Sequence, residues 1–411
     1  MHTIAGQILP VARPQLAGHA GFPGSTFRSR LSYSYYLYIA RYYVSQYYFQ
    51  SSTLPIRYAL RIKMVILRYN MPDSHDEKTT VAAPPHSVAD VCKKVLQDNW
   101  RNGHTIPAGG LYPHQWLWDS CFIAIGLRHT DVKRAQTELR NLLRGQWANG
   151  MIPHMIFGAS DKSSSDKRMW QSWRNPNAPD KVNTSGITQP PMLAEAVVKI
   201  GESLKMHERR SWYQDMYPAL VAHHEWLYQD RDPHQEGLAL LIHPWESGLD
   251  NSPPWIDQMH MHARPAWINI VEKLKLDKLT LLLRRDTHHV PPGQRLDTID
   301  ALLYYSVIQR LKRKNWDTDA ILSRSHFAIE DLTFNCIFVR ANENLRTIAK
   351  TIGHELPPDL NECMDRSTEA INKLWDGYYS QYFSRNYTTH KFIKEPTIAT
   401  LMPLYAGTIT K

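Results

Sequence analysis

Glu246 and Asp250 stand four residues apart in the stretch His243-Pro244-Trp245-Glu246-Ser247-Gly248-Leu249-Asp250-Asn251-Ser252-Pro253-Pro254-Trp255, which carries two tryptophans and a glycine turn. Carboxylates supply the protons that acetal cleavage needs, and indole faces stack on the apolar face of a pyranose, so the combination suits a sugar site. The plainer reading is a pair of caps for a helix beginning near Ser252. Trp245, Leu249, Pro253 and Trp255 are apolar neighbours of Asp250 in sequence. Such surroundings disfavour an ionised carboxyl and keep its proton available for donation. Glu246 is expected to position the sugar or the acid; a base on the same short loop as the acid would approach the substrate from the wrong side.

A second stretch, Pro107-Ala108-Gly109-Gly110-Leu111-Tyr112-Pro113-His114-Gln115-Trp116-Leu117-Trp118-Asp119-Ser120-Cys121-Phe122, joins a glycine turn, an aromatic cluster and one acid to an apolar helix. Asp119 can accept two sugar hydroxyls in charge-assisted bonds, or cap the helix that follows, or both. Tyr112, Trp116 and Trp118 would then form an aromatic wall. Three more blocks follow in order: Thr184-Ser185-Gly186-Ile187-Thr188-Gln189-Pro190-Pro191, Phe327 to Asn335, and Pro396 to Gly407.

Taken together, these blocks resemble glycoside hydrolase family 63, in particular its short mannosylglycerate and glucosylglycerate hydrolases and, more distantly, the trehalases. The resemblance runs over roughly residues 88 to 411. It implies an (α/α)6 toroid and inverting hydrolysis of a small α-glucoside or α-mannoside. In that pattern Asp250 matches the general acid, Asp119 a position that holds hydroxyls at the innermost subsite, and Gln189 a hydroxyl-binding amide. Tyr112, Trp116, Trp118, Trp245 and Glu246 are further substrate-binding candidates. A glycerate leaving group carries a carboxylate that a guanidinium holds well, and Arg284 beside Arg285 is the candidate, unless it only answers a helix macrodipole. The family's general base lies beyond the block matched by Pro396 to Gly407, so this chain, which stops at Lys411, is expected to lack it. Glu330 and Glu395 match no catalytic motif. The competing expectation is a catalytically silent sugar-binding remnant; under either, the toroid is expected to be incomplete.

Composition narrows the field. The formal charge is +9, but residues 1–72 hold no acid and contribute +8, which leaves the remainder near neutral. Bulk electrostatics therefore gives no reason to invoke nucleic acid. No uninterrupted apolar run is long enough to span a bilayer, so no membrane is expected. Four widely spaced cysteines and no HExxH motif point to reduced thiols, no metal and no cofactor. Residues 1–86 read as a basic, tyrosine-rich leader and linker, either a disordered or overextended start of the reading frame, with Met64 or Met71 as the true start, or a transit peptide, and 87–411 as the hydrolase domain. A cytoplasmic location is expected, or a mitochondrial one if the leader is genuine.

The elements that must hold these residues are helices, since apolar positions recur at three and four, as at Leu193, Ala196, Val197, Ile200 and Leu204. The periodicity predicts helices over 88–100, 118–129, 132–147, 191–207, 212–229, 265–285, 295–314, 330–356 and 360–374. Between them, residues 160–183 read as a long polar loop containing Trp170 and Trp173, either a lid or a disordered insertion. The fold class expected is all-α.

Overall fold

Side-chain caps and apolar stripes account for most of the helices. The computed structural model describes residues 87–109, 111–158, 163–249, 253–275, 296–323 and 327–409. The leader expected over 1–86 and two of the expected site residues, Asp250 and Arg284, lie outside the described residues. Thirteen α-helices are described: α1 (Val88–Asp98), α2 (Leu117–Leu127), α3 (Val132–Leu143), α4 (Ser163–Trp170), α5 (Leu193–Glu202), α6 (Met206–Arg231), α7 (Pro253–Gln258), α8 (Ala266–Lys273), α9 (Thr298–Arg313), α10 (Thr318–Leu322), α11 (Leu332–Ile352), α12 (Pro358–Ala370) and α13 (Met402–Ala406).

Asp131 caps α3 by accepting the Arg134 amide, and the helix then buries Ala135, Leu139 and Leu142 along one stripe. Asp331 does the same for α11 through the Phe334 amide, and Gly353, at φ +76°, ends that helix in the left-handed conformation. The expected start at Glu330 is corrected by two residues, because Ile329–Glu330 form a strand pair with Arg385–Asn386 and Asp331 is the cap. The helix expected over 191–207 ends at Glu202. A Cβ built on Gly201 would lie 2.4 Å from the Tyr213 ring, so α5 and α6 approach each other at the glycine and the chain turns there. Within α6 lies Pro218, which costs an internal hydrogen bond without ending the helix, as buried Trp212, Met216, Leu220 and Trp226 hold both halves in the core.

The stretch expected as a polar loop over 160–183 holds α4 and a short 3-10 turn at Ser172–Arg174. Trp170 is completely buried, which corrects the alternative of a disordered insertion. Helix α2 packs on α3 and α5, α5 on α6, and α11 on α5, α6, α12 and α13. Among the described residues, strands are confined to antiparallel pairs two residues long. One of them, Gln115–Trp116 against Met155–Ile156, positions the start of α2. Among the described residues no helix is long and apolar enough to cross a membrane.

Candidate functional site

Helix α2 starts where two strands and a distant loop converge. Its first amides are held from outside: Leu117 donates to the His154 carbonyl at 3.0 Å, and Trp118 to Oε1 of Gln189 at 3.4 Å. The N-cap position belongs to Trp116, which offers no side-chain acceptor, so Asp119 sits in the first turn and is not the N-cap. Asp119 is half-buried, and burial raises its carboxyl to about 6. No other described residue donates a hydrogen bond to it.

The second motif meets the first at Gly248. The turn Pro244–Ser247 is a 3-10 helix closed by Gly248 at φ +69°. A Cβ built on Gly248 would stand 2.7 Å from the Trp118 indole, so only a residue without one allows this approach. Beyond it, the Trp255 indole N–H donates to the Leu249 carbonyl at 3.2 Å.

Glu246 does not face outward from this turn. It is completely buried and accepts from Nη2 of Arg231 at 2.8 Å, the Ile242 amide at 2.7 Å and the Thr188 amide at 3.2 Å. Burial pushes its carboxyl upward while the Arg231 guanidinium pulls it back. The pair thus ties α6, the turn and the Thr188-Gln189 loop together.

The aromatic residues connect into one continuous box. Tyr112 meets Trp116 edge-on at 5.4 Å between ring centroids, Trp116 meets His154 at 5.2 Å, and His154 lies over Trp245 at 6.3 Å. Trp170 packs on His154, Trp245 and Trp316. His243 receives the Trp245 amide on Nδ1 and directs Nε2 at the Tyr304 carbonyl, so its ring is neutral with the proton on Nε2. Burial holds His154 and His243 well below the usual imidazole range, the latter at about 3. Nε2 of His154 and the indole nitrogens of Trp116, Trp170 and Trp316 are buried without a protein partner.

The structure therefore brings together Tyr112, Trp116, Trp118, Asp119, Gln189, Trp245 and Glu246, from sequence positions more than a hundred residues apart. His154, Trp316 and Tyr304 join them without having been found in the sequence. A single histidine in Pro153-His154-Met155 has no spacing signal; Trp170 was visible only as one aromatic in a polar stretch. Of the two other carboxylates considered, Glu330 is buried and paired with Arg385, and Glu395 is exposed.

An indole-lined, acid-bearing site on an α-helical frame is the kind of site a carbohydrate-active protein uses. Residues 112–411 match the mannosylglycerate hydrolase MGH1-like glycoside hydrolase domain. The chain belongs to this group within glycoside hydrolase family 63. It is 38% identical over 317 residues to mannosylglycerate hydrolase of Thermus thermophilus, covering 77% of this chain and 72% of that one. Mannosylglycerate hydrolase MGH1 of Selaginella moellendorffii is 33% identical over 333 residues, covering 80% of this chain but 64% of its own length. The crystal structure of a Thermus thermophilus GH63 mannosylglycerate hydrolase in complex with Tris and D-glycerate superposes with a TM-score of 0.67 at 34% identity, over 78% of this chain and 73% of that one. The (α/α)6 class of fold follows from this likeness.

Proposed function

We propose that the chain acts on the α-glycosidic bond of a small glycoside of glycerate, mannosyl or glucosyl, by inverting general acid catalysis. Asp250 donates the proton to the leaving oxygen, Asp119 accepts hydroxyl protons of the hexose, and Tyr112, Trp116, Trp118 and Trp245 wall the sugar. Gln189 has its oxygen turned to the Trp118 amide, which leaves its NH2 group for a hydroxyl. Glu246 serves by holding the turn that precedes Asp250. Arg284 is the proposed partner of the glycerate carboxylate. The observation that carries this reading is the seating of Gly248 on Trp118, which brings the beginning of the acid's loop against the helix turn bearing Asp119.

A binding-only role is the second reading. It is favoured by the commitment of the buried carboxylates Glu138, Glu246 and Glu330 to protein donors, which leaves none of them to activate water. Incubating the purified chain with mannosylglycerate and with glucosylglycerate, and measuring released hexose, separates the two. Release abolished by Asp250→Asn supports the glycosidase. Binding of D-glucose, seen in tryptophan fluorescence, with no release supports the second reading, and release undiminished by Asp250→Asn overturns the role of Asp250.

A further inference from the structure

Behind the wall of the site lies a polar knot that the proposed chemistry does not use. Glu138 on α3 is completely buried. Its Oε1 accepts the Ser120 hydroxyl at 2.7 Å and Nε2 of Gln115 at 3.2 Å, and its Oε2 accepts the Thr105 amide at 2.7 Å. Gln115 also donates to Ser120 Oγ and to the Glu138 carbonyl, and its own oxygen accepts from Asn141. Thr105, Gln115 and Ser120 are as buried as Glu138 itself. Gln115 and Ser120 are the two residues that bracket Trp116, Leu117, Trp118 and Asp119. One carboxylate thus grips both ends of the short segment that carries three of the candidate sugar contacts.

We infer that Glu138 is a positioning residue for the site: it sets the register of Trp116, Trp118 and Asp119 by clamping Gln115 and Ser120 from behind. The inference rests on the reading of those three residues as sugar contacts. Three donors converge on the carboxylate, and an ionised carboxylate is the one side chain of this shape with acceptors for all of them. A glutamine has a single acceptor oxygen, so in either orientation its NH2 group faces at least one donor. Burial lifts the Glu138 carboxyl to about 7, with the bonds from Ser120 and Thr105 opposing that rise. Both carboxylate oxygens of Glu138 are engaged by protein donors, and buried hydrogen-bonded groups of this kind favour one arrangement.

The test uses the full chain as parent, Glu138→Gln, the milder Ser120→Ala, and Leu139→Ala, which truncates a buried core residue beside Glu138 without touching the knot. Amide hydrogen exchange over residues 115–120 reads positioning without any sugar, and D-glucose titrations followed by tryptophan fluorescence read its consequence. Glu138→Gln should speed local exchange and weaken glucose binding by about tenfold or more, the scale of small misplacements at a binding site. Ser120→Ala should do both to a lesser degree, and Leu139→Ala should leave glucose affinity unchanged. In an Asp119→Asn background, Glu138→Gln should cost less than it does alone, because part of its effect passes through Asp119. Unchanged exchange in Glu138→Gln and Ser120→Ala overturns the inference, as does faster exchange with unaltered glucose affinity. If the parent itself fails to bind glucose, the sugar reading fails, and the exchange data alone still decide whether Glu138 holds the segment.

Discussion

Gly248 lies against the indole of Trp118, at a distance where a single added carbon would collide with the ring. The contact joins two motifs separated by more than a hundred residues, and it uses a backbone at φ +69° that side chains other than glycine adopt only under strain.

Gly248→Ala therefore faces both penalties. The left-handed conformation alone costs roughly 1–2 kcal/mol, and relief of the clash displaces either the turn or the Trp118 ring. Lower thermal stability together with glucose affinity reduced by about tenfold or more is expected. A variant that melts earlier but binds as before would show that the seating of this turn does not matter to the site.

Asp119→Asn should stabilise the protein while weakening sugar binding. The carboxyl is raised from 3.8 to about 6 in the folded state, so between those values the folded form holds more protons than the unfolded one. Stability then falls as pH rises from about 4 to about 6, by on the order of 3 kcal/mol. Asparagine removes this loss. Urea denaturation at pH 4 and pH 7 should show the parent losing stability between the two and Asp119→Asn losing less. A group that costs stability where it stands is expected at a functional site.

Arg231→Leu leaves Glu246 buried without its cation. Breaking such a pair by removing one partner typically costs about 3–5 kcal/mol. Nε and Nη1 of Arg231 make no hydrogen bond to a described residue, although the guanidinium lies over the Trp226 ring at 5.1 Å, so the pair is tolerated for geometry more than for stability. Double replacement with Arg231→Leu and Glu246→Leu should recover part of the loss in urea denaturation but not glucose binding, since the Thr188 and Ile242 amides lose their common acceptor. Full recovery of binding in the double variant would contradict a positioning role for Glu246.

Trp170→Ala opens the centre of the aromatic box. Truncating a completely buried indole costs about 3–5 kcal/mol, and here it also frees His154, Trp245 and Trp316 to shift. Trp170→Phe keeps most of the volume and is expected to retain the fold with a smaller loss. If both variants match the parent in denaturant midpoint, α4 is not packed on the box in solution.

The candidate site residues could be picked out in the sequence because they come in short dense motifs. Asp119 with its tryptophans, and the Trp245 to Trp255 stretch, each combine residue types that rarely meet without a shared task. Helices were legible from their 3.6-residue stripes, and their ends were less so. The break after Glu202 depends on the fit of Tyr213 against Gly201, a contact between two helices, and the start of α11 depends on a strand pairing with residues far along the chain. Neither has a local signature.

What the residues alone determined is the helical class, the near-neutral body behind a basic first segment, and a chemistry of acids set among indoles, since residue type and spacing act locally. Only the tertiary structure decided which carboxylates are spoken for. Glu138 carries no signal in the sequence and Glu246 stands out there only as one acid of a motif; both became internal clamps because Arg231, Thr188, Ser120 and Gln115 are brought to them by folding. His154 and Trp316 entered the site in the same way. Whether a carboxyl is free to meet a ligand depends on the donors that converge on it from other elements, and that convergence exists only once the helices have packed.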